Sequence, residues 1–177
     1  MKRFALSTAA AALMLLPFAG SASAEPNVAK SPRVSDIKKA ENLIDGMRTE
    51  AAYLAGQAAG LQAWSLSSDM SWQSHAGTLE EVRGRLKTLE MYRTKLASLE
   101  GRILPEQAAV LDRTAPALRG IASNVGSAVV ASHELKYKPA LLEDRYVDAV
   151  NGFYEHVVEF RRALRAGDAG TSGSSAD

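Results

Sequence analysis

The chain has 177 residues, with 21 lysines and arginines against 20 acidic residues, for a formal charge of +1. Near neutrality with both signs interspersed gives no electrostatic footprint for nucleic acid or for an anionic membrane. The sequence contains no cysteine, which excludes disulfides, cysteine-ligated zinc, covalently attached c-type haem, a thiol nucleophile and a lipid-modified cysteine anchor together.

Residues 1–24 read as a cleaved signal peptide. Lys2 and Arg3 form a basic start, Phe4 to Leu16 is mostly apolar, Pro17 breaks the run, and Ala22-Ser23-Ala24 is a small-x-small cleavage site. The apolar stretch is too short to span a membrane, and the mature chain holds no other candidate span. Cleavage there leaves 153 residues with a formal charge of −1, enough for one domain.

Residues 25–34, with two prolines and no periodicity, read as a flexible leader. Ser35 is expected as the N-cap of the first helix, with Asp36 in its first turn where the dipole favours an acid. The apolar positions Ile37, Ala40, Ile44, Met47, Ala51, Leu54, Ala58 and Leu61 then recur in alternating steps of three and four, a coiled-coil-like heptad, and Trp64 continues the face. Gly56 and Gly60 cost helix stability, which points to a close approach by a neighbouring helix.

The segment Ser67 to Ser71 reads as a turn. The second helix is expected from about Trp72 to Glu100, ended by Gly101. Its apolar face is Trp72, His75, Leu79, Val82, Leu86, Leu89, Tyr92, Leu96, Leu99 and Ile103, with His75 as the polar member. The other face is charged, with Glu81 and Arg85 one turn apart. Pro105 opens the third helix, whose expected stripe is Ala108, Leu111, Ala115, Leu118, Ala122, Val125, Val129 and Ser132. Pro116 lies inside it and should bend it. Tyr137-Lys138-Pro139 makes the last turn. The fourth helix carries Leu142, Tyr146, Ala149, Phe153, Val157, Phe160 and Leu164, with arginines near its end as the macrodipole prefers. Gly167 stops it, and residues 167–177 read as a disordered tail. Four helices joined by short turns imply an all-α, antiparallel up-down-up-down four-helix bundle over residues 35–166.

Three features, Ser71-Trp72-Gln73-Ser74-His75-Ala76, the Pro105-x-Gln107 helix start, and Asp112-Arg113 with Pro116 and Leu118, resemble small secreted bacterial helical proteins of unassigned function over roughly residues 71–130. The resemblance implies the helical fold and export, and carries no activity or site residue with it.

Antiparallel packing brings histidines, carboxylates and aromatics to one end of such a bundle. His75 and His133 are equidistant from the turn at Leu104, and Trp64, Asp69, Trp72, Tyr137, Glu143, Asp144 and Tyr146 belong to the same end. His75 and His133 with Glu143 or Asp69 are therefore candidate ligands for a metal or small molecule. Counting from the helix ends also puts Met47 level with His156, a candidate axial pair for haem. No nucleophile–histidine–carboxylate spacing, phosphate loop or dinucleotide fingerprint is present. The expected function is an exported, non-enzymatic interaction or binding module, periplasmic or secreted, without a cofactor. It engages a protein partner or itself through helix faces or the Trp64, Trp72 and Tyr137 end. The alternative is a periplasmic carrier of metal, haem or a small ligand at the histidines.

Overall fold

A computed structural model of the chain describes residues 31–65, 71–135 and 139–166. The expected signal peptide, most of the leader, the tail, Asp69 and Tyr137 lie outside them. The described residues are all-α, with no strand: α1 (Val34–Ser65), α2 (Trp72–Ala97), α3 (Pro105–Leu135) and α4 (Pro139–Arg165). Among these residues no helix is long and apolar enough to cross a membrane.

The heptad of α1 is the buried face it was read to be: Ala40, Ile44, Met47, Ala51, Leu54, Ala58 and Leu61 are all in the core, while Ile37 is half-buried. The helix begins at Val34, two residues before the Asp36 start that a Ser35 cap implies. The Arg33 carbonyl accepts from the Asp36 and Ile37 amides, so Ser35 lies inside the helix and is not its cap. On α2, His75, Leu79, Val82, Leu86, Leu89 and Leu96 are buried. Ser71 caps this helix in an extended conformation, its hydroxyl accepting from the Ser74 amide at 3.4 Å. The helix ends at Ala97, before the expected Glu100. The Ser98 hydroxyl donates to the Lys95 carbonyl and the Leu99 amide to that of Leu96, tightening the chain into a turn in which Gly101 takes φ +76°, a value that favours glycine.

The buried face of α3 is rotated from the expected stripe. Val110, Leu111, Ala117, Leu118, Ile121, Val125, Ala128, Ala131 and Ser132 are buried, whereas Ala122 is exposed and Ala115 half-buried. The branched residues set the rotation, because they lose more by exposure than alanine does. The helix runs on through Pro116, which is exposed. The carbonyl that proline leaves unbonded belongs to Asp112, itself an exposed residue, on a side where water can serve it. On α4, Tyr146, Ala149, Val150, Phe153, Val157, Phe160 and Leu164 join the core, and Val158 stays partly exposed. Leu142 falls among residues whose side chains are not described.

Each helix packs on its neighbours in chain order, α4 returns to α1, and α1 barely touches α3. Between α1 and α2, Tyr92 stacks over Gly46, Arg85 meets Glu50, and Glu81 meets Tyr53. Between α1 and α4, Gln62 donates to Asn151 at 2.9 Å, while Arg48, Ala51 and Ala52 share a groove with Arg161, Leu164 and Arg165. Between α3 and α4, the His156 ring covers Gly120 and the Asn124 amide lies on Gly152. The close approaches that need glycine are thus Gly46, Gly120 and Gly152. A Cβ on Gly56 would meet nothing within 4 Å, and one on Gly60 only Trp64 of its own helix, so neither marks the helix contact expected of it.

A polar seam joins α1 to α2. Glu50 is 7 % exposed and accepts from Arg85 at 3.4 Å through each carboxylate oxygen. The same guanidinium lies 4.2 Å from the centre of the Tyr53 ring, a cation–π contact, and the Tyr53 hydroxyl donates to Glu81. Arg85 therefore serves the helix interface and not only the solvated face. At the other end of the seam Gln107 does two jobs. Its carbonyl oxygen accepts from the Leu104 amide at 3.2 Å, closing the start of α3, and its amide donates to the Ile37 carbonyl at 3.2 Å. The Arg33 amide bonds the Arg102 carbonyl, and Arg102 pairs with Asp36 at 3.6 Å.

Gly56→Ala and Gly84→Ala, both in open space, should each raise unfolding free energy by about 1 kcal/mol in denaturant titrations. Gly152→Ala should lower it by about 1 kcal/mol, because its Cβ would fall 2.5 Å from Asn124 Oδ1 and displace an amide that donates to the Gly120 carbonyl at 3.0 Å. Arg85→Met should cost about 1–2 kcal/mol by leaving the Glu50 carboxylate buried and unpaired, and Glu50→Gln in the same chain should return part of that loss.

Candidate functional site

The sequence places histidine and aromatic residues at one end of the four helices, and the structure joins three of them. His75 enters from the first turn of α2, set there by the Ser71 cap, and is 6 % exposed. Its Nδ1 lies 2.6 Å from the hydroxyl of Tyr146 on α4, and the two rings meet edge to face with centroids 5.2 Å apart. Trp64, near the end of α1, stands edge-on to the same imidazole at 6.3 Å. Three helices thus converge on one imidazole.

The protonation of the pair follows from burial. Desolvation holds the His75 ring below the ordinary histidine value of 6.5 and pushes the Tyr146 phenol well above the usual 10.0, so both groups are neutral at pH 7. We assign the phenol O–H as the donor to Nδ1, because the phenol has no other hydrogen-bond partner among the described residues to take its proton. The single N–H proton of the neutral ring is then on Nε2. A neutral phenol–imidazole pair is a polar fastener inside an aromatic cluster. It can orient a ring and hold a proton, and it lacks the carboxylate that would turn it into a strong base.

The other expected site residues are placed as follows. His133 is exposed on α3, and the hydrogen bond and ring contacts of His75 go to Tyr146 and Trp64 instead. The side chains of Glu143, Asp69 and Tyr137 lie outside the described residues, and among the described residues no group of three or more histidine and carboxylate side chains is arranged to hold a metal. Trp64 is half-buried against the core rather than free to serve as an anchor, and Trp72 is half-buried at the start of α2. The haem pair is not formed. Met47 is fully buried and sits near the groove that α1 shares with the last turn of α4, whereas His156 lies eight residues before Leu164, roughly 12 Å away along the axis. His156 faces α3 over Gly120 and bonds Glu159 at 2.9 Å. Counting from the helix ends misjudged the level because α1 has 32 residues and α4 has 27, and the first turns of α1 extend beyond α4.

Two surface features escaped the sequence reading. Close to Tyr146, a groove of about 590 Å³ runs between α3 and α4, lined by Ser123, Asn124, Gly126, Ser127, Val130 and Arg145 among others. Small side chains line it on α3, Arg145, Asp148 and Ala149 line it on α4, and Val130 stands 53 % exposed at its edge. Arg145 reaches Glu134 at 3.8 Å across the same seam. The signal for it was the run of small residues Ala122, Ser123, Gly126 and Ser127, which cannot fill the space between two helices as branched residues do. The second is the arginine-lined groove between α1 and α4. No family model, curated protein or solved structure matches the chain.

Burial of His75 and Tyr146 adds a pH dependence to stability at both ends of the range. The unfolded histidine takes up a proton near pH 6.5 while the folded one resists it, so stability is full above about 6.5 and falls as the pH drops below it. The unfolded tyrosine ionises near pH 10 while the folded one stays neutral, so stability falls again above about pH 10. Denaturant midpoints measured across pH 5–11 should show this plateau. His75→Gln should flatten the slope between about 5 and 6.5, and Tyr146→Phe should cost about 1–2 kcal/mol at pH 7 by leaving Nδ1 buried without a donor.

Proposed function

We propose that the chain is an exported, non-enzymatic interaction module: an antiparallel up-down-up-down four-helix bundle, freed of residues 1–24 on export, that docks a protein partner in the α3–α4 groove. The reverse residue order of the cross-helix contacts supports the antiparallel reading: Gly46, Glu50 and Tyr53 meet Tyr92, Arg85 and Glu81, and Gly120 and Asn124 meet His156 and Gly152. The basic start, apolar run and Ala22-Ser23-Ala24 site support export.

One observation carries the binding reading. The α3–α4 seam stays open over about 590 Å³ with an exposed valine on its rim. An isolated surface valine has no significance by itself. A valine beside a groove of small residues offers an apolar edge and room for an incoming side chain, with Ser123, Asn124, Ser127, Arg145 and Asp148 available to hydrogen-bond around it. The His75–Tyr146 pair fixes the neighbouring turn of α4, so the groove wall is rigid where a partner would meet it.

A photo-crosslinking residue at Val130, in chain produced by an exporting host, should give one discrete adduct that a crosslinker at exposed Glu90 of α2 does not give. Gly126→Leu, which meets no atom within 4 Å of its Cβ, should abolish that adduct while leaving the thermal melt unchanged. Equal adduct patterns at the two positions, or an adduct indifferent to Gly126→Leu, contradicts docking in this groove.

A further inference from the structure

A cavity of about 320 Å³ lies between α1 and α4, walled by Arg48, Ala51, Ala52, Arg161, Leu164 and Arg165. Three guanidinium groups from two helices share it. Arg161 and Arg165 are one turn apart on the same face of α4, with Leu164 buried beside them. Arg48 comes across from α1. Ala51 and Ala52 form the opposite wall, and their short side chains keep the space open. Arg48 is held from outside by Asp45 at 2.8 Å, which fixes its direction. Arg161 and Arg165 form no ion pair with any described residue.

The usual reason for arginines at this place is the helix macrodipole, which favours cations in a last turn. That accounts for Arg162 and Arg165. It accounts neither for Arg48, in the middle of α1, nor for a cavity between the cations. Net charge does not explain the cluster either, since the chain as a whole is close to neutral. Asp45 answers the charge of Arg48 from outside, and the like charges of Arg161 and Arg165 on α4 repel one another unless an anion joins them. Guanidinium forks match the paired oxygens of phosphate better than any other side chain does, and the volume is at the small end of ligand pockets.

We propose that the α1–α4 groove is a binding site for a phosphate-bearing ligand, with Arg161 and Arg165 gripping the phosphoryl oxygens from α4 and Arg48 closing on them from α1. The site is separate from the α3–α4 groove and stands or falls independently of partner docking there. It supplies no chemistry beyond recognition.

The test is isothermal titration calorimetry of the full exported chain with inorganic pyrophosphate at near-physiological salt. One saturable site is expected, weakened at least tenfold by Arg161→Gln. Ala52→Leu changes no charge but fills the groove from an exposed position, and should weaken binding as strongly. Arg83→Gln on α2, where the arginine pairs with Glu80 at 2.8 Å, should leave the affinity unchanged. Sedimentation with phosphatidylcholine vesicles doped with phosphatidic acid identifies the source. Arg161-dependent sedimentation assigns the site to a lipid headgroup, and pyrophosphate binding without sedimentation assigns it to a soluble phosphate; each upholds the proposal. Absence of saturable pyrophosphate binding, equal loss in Arg83→Gln, or full affinity in Ala52→Leu overturns it. Circular dichroism of each variant confirms that the helices are intact.

Discussion

Four helices, each with one apolar stripe, must bury all four stripes in a single shared core. Met47, Leu54, Leu61, Leu79, Leu89, Leu96, Ile121, Phe153 and Phe160 are almost wholly withdrawn from water to satisfy that requirement. At about 25 cal/mol per Å² of apolar surface, this burial is the main favourable term in folding. It also decides where polar chemistry can be. A charged group in the middle of such a core would pay a large desolvation cost, so the polar groups with structural roles occupy the seams between helices and the bundle end. Glu50 with Arg85, Gln107 with Ile37, and His75 with Tyr146 all follow this rule.

The seams also supply the specificity that a greasy core lacks. Leucine and alanine stripes can slide by a turn with little loss, whereas a carboxylate that needs one guanidinium cannot. Glu50 and Arg85 set the register of α1 on α2, and Gln107 joins the start of α3 to the start of α1. His75 and Tyr146 tie α2 to α4, and the Asn124 amide against Gly152 ties α3 to α4. The open grooves lie where seam residues are too small to close the gap: Ser123, Gly126 and Ser127 on α3, Ala51 and Ala52 on α1. Both proposed binding sites draw on this distribution, since each gap lies at a seam between helices rather than among the buried apolar residues.

The faces of α1, α2 and α4 were legible because large residues recur on them with the helical period. The face of α3 was misread by a rotation. Its alanines fit a buried or an exposed position equally well, and Ala115 and Ala122 carried the false stripe while Ile121 and Val110 marked the true one. Convergence of His75 and Tyr146 at one end followed from chain reversal alone, but the bond between them depends on how each helix turns about its own axis, which spacing does not encode. The same limit applies to Met47 and His156, where unequal helix lengths shifted the level as well. Gly56 and Gly60 show that a helix-weakening residue need not mark a contact; Gly46, Gly120 and Gly152 do so only because an aromatic ring, an imidazole and an amide from neighbouring helices happen to lie on them.

We propose that this four-helix protein works through its surface and encloses no prosthetic group. Native mass spectrometry of the chain purified from an exporting host, untagged and without chelators, tests it most directly. The expected result is the mass of a polypeptide beginning at Glu25, bare or joined to a protein partner, with at most an oxyanion adduct. A stoichiometric mass of metal or haem would contradict it and return attention to the histidines.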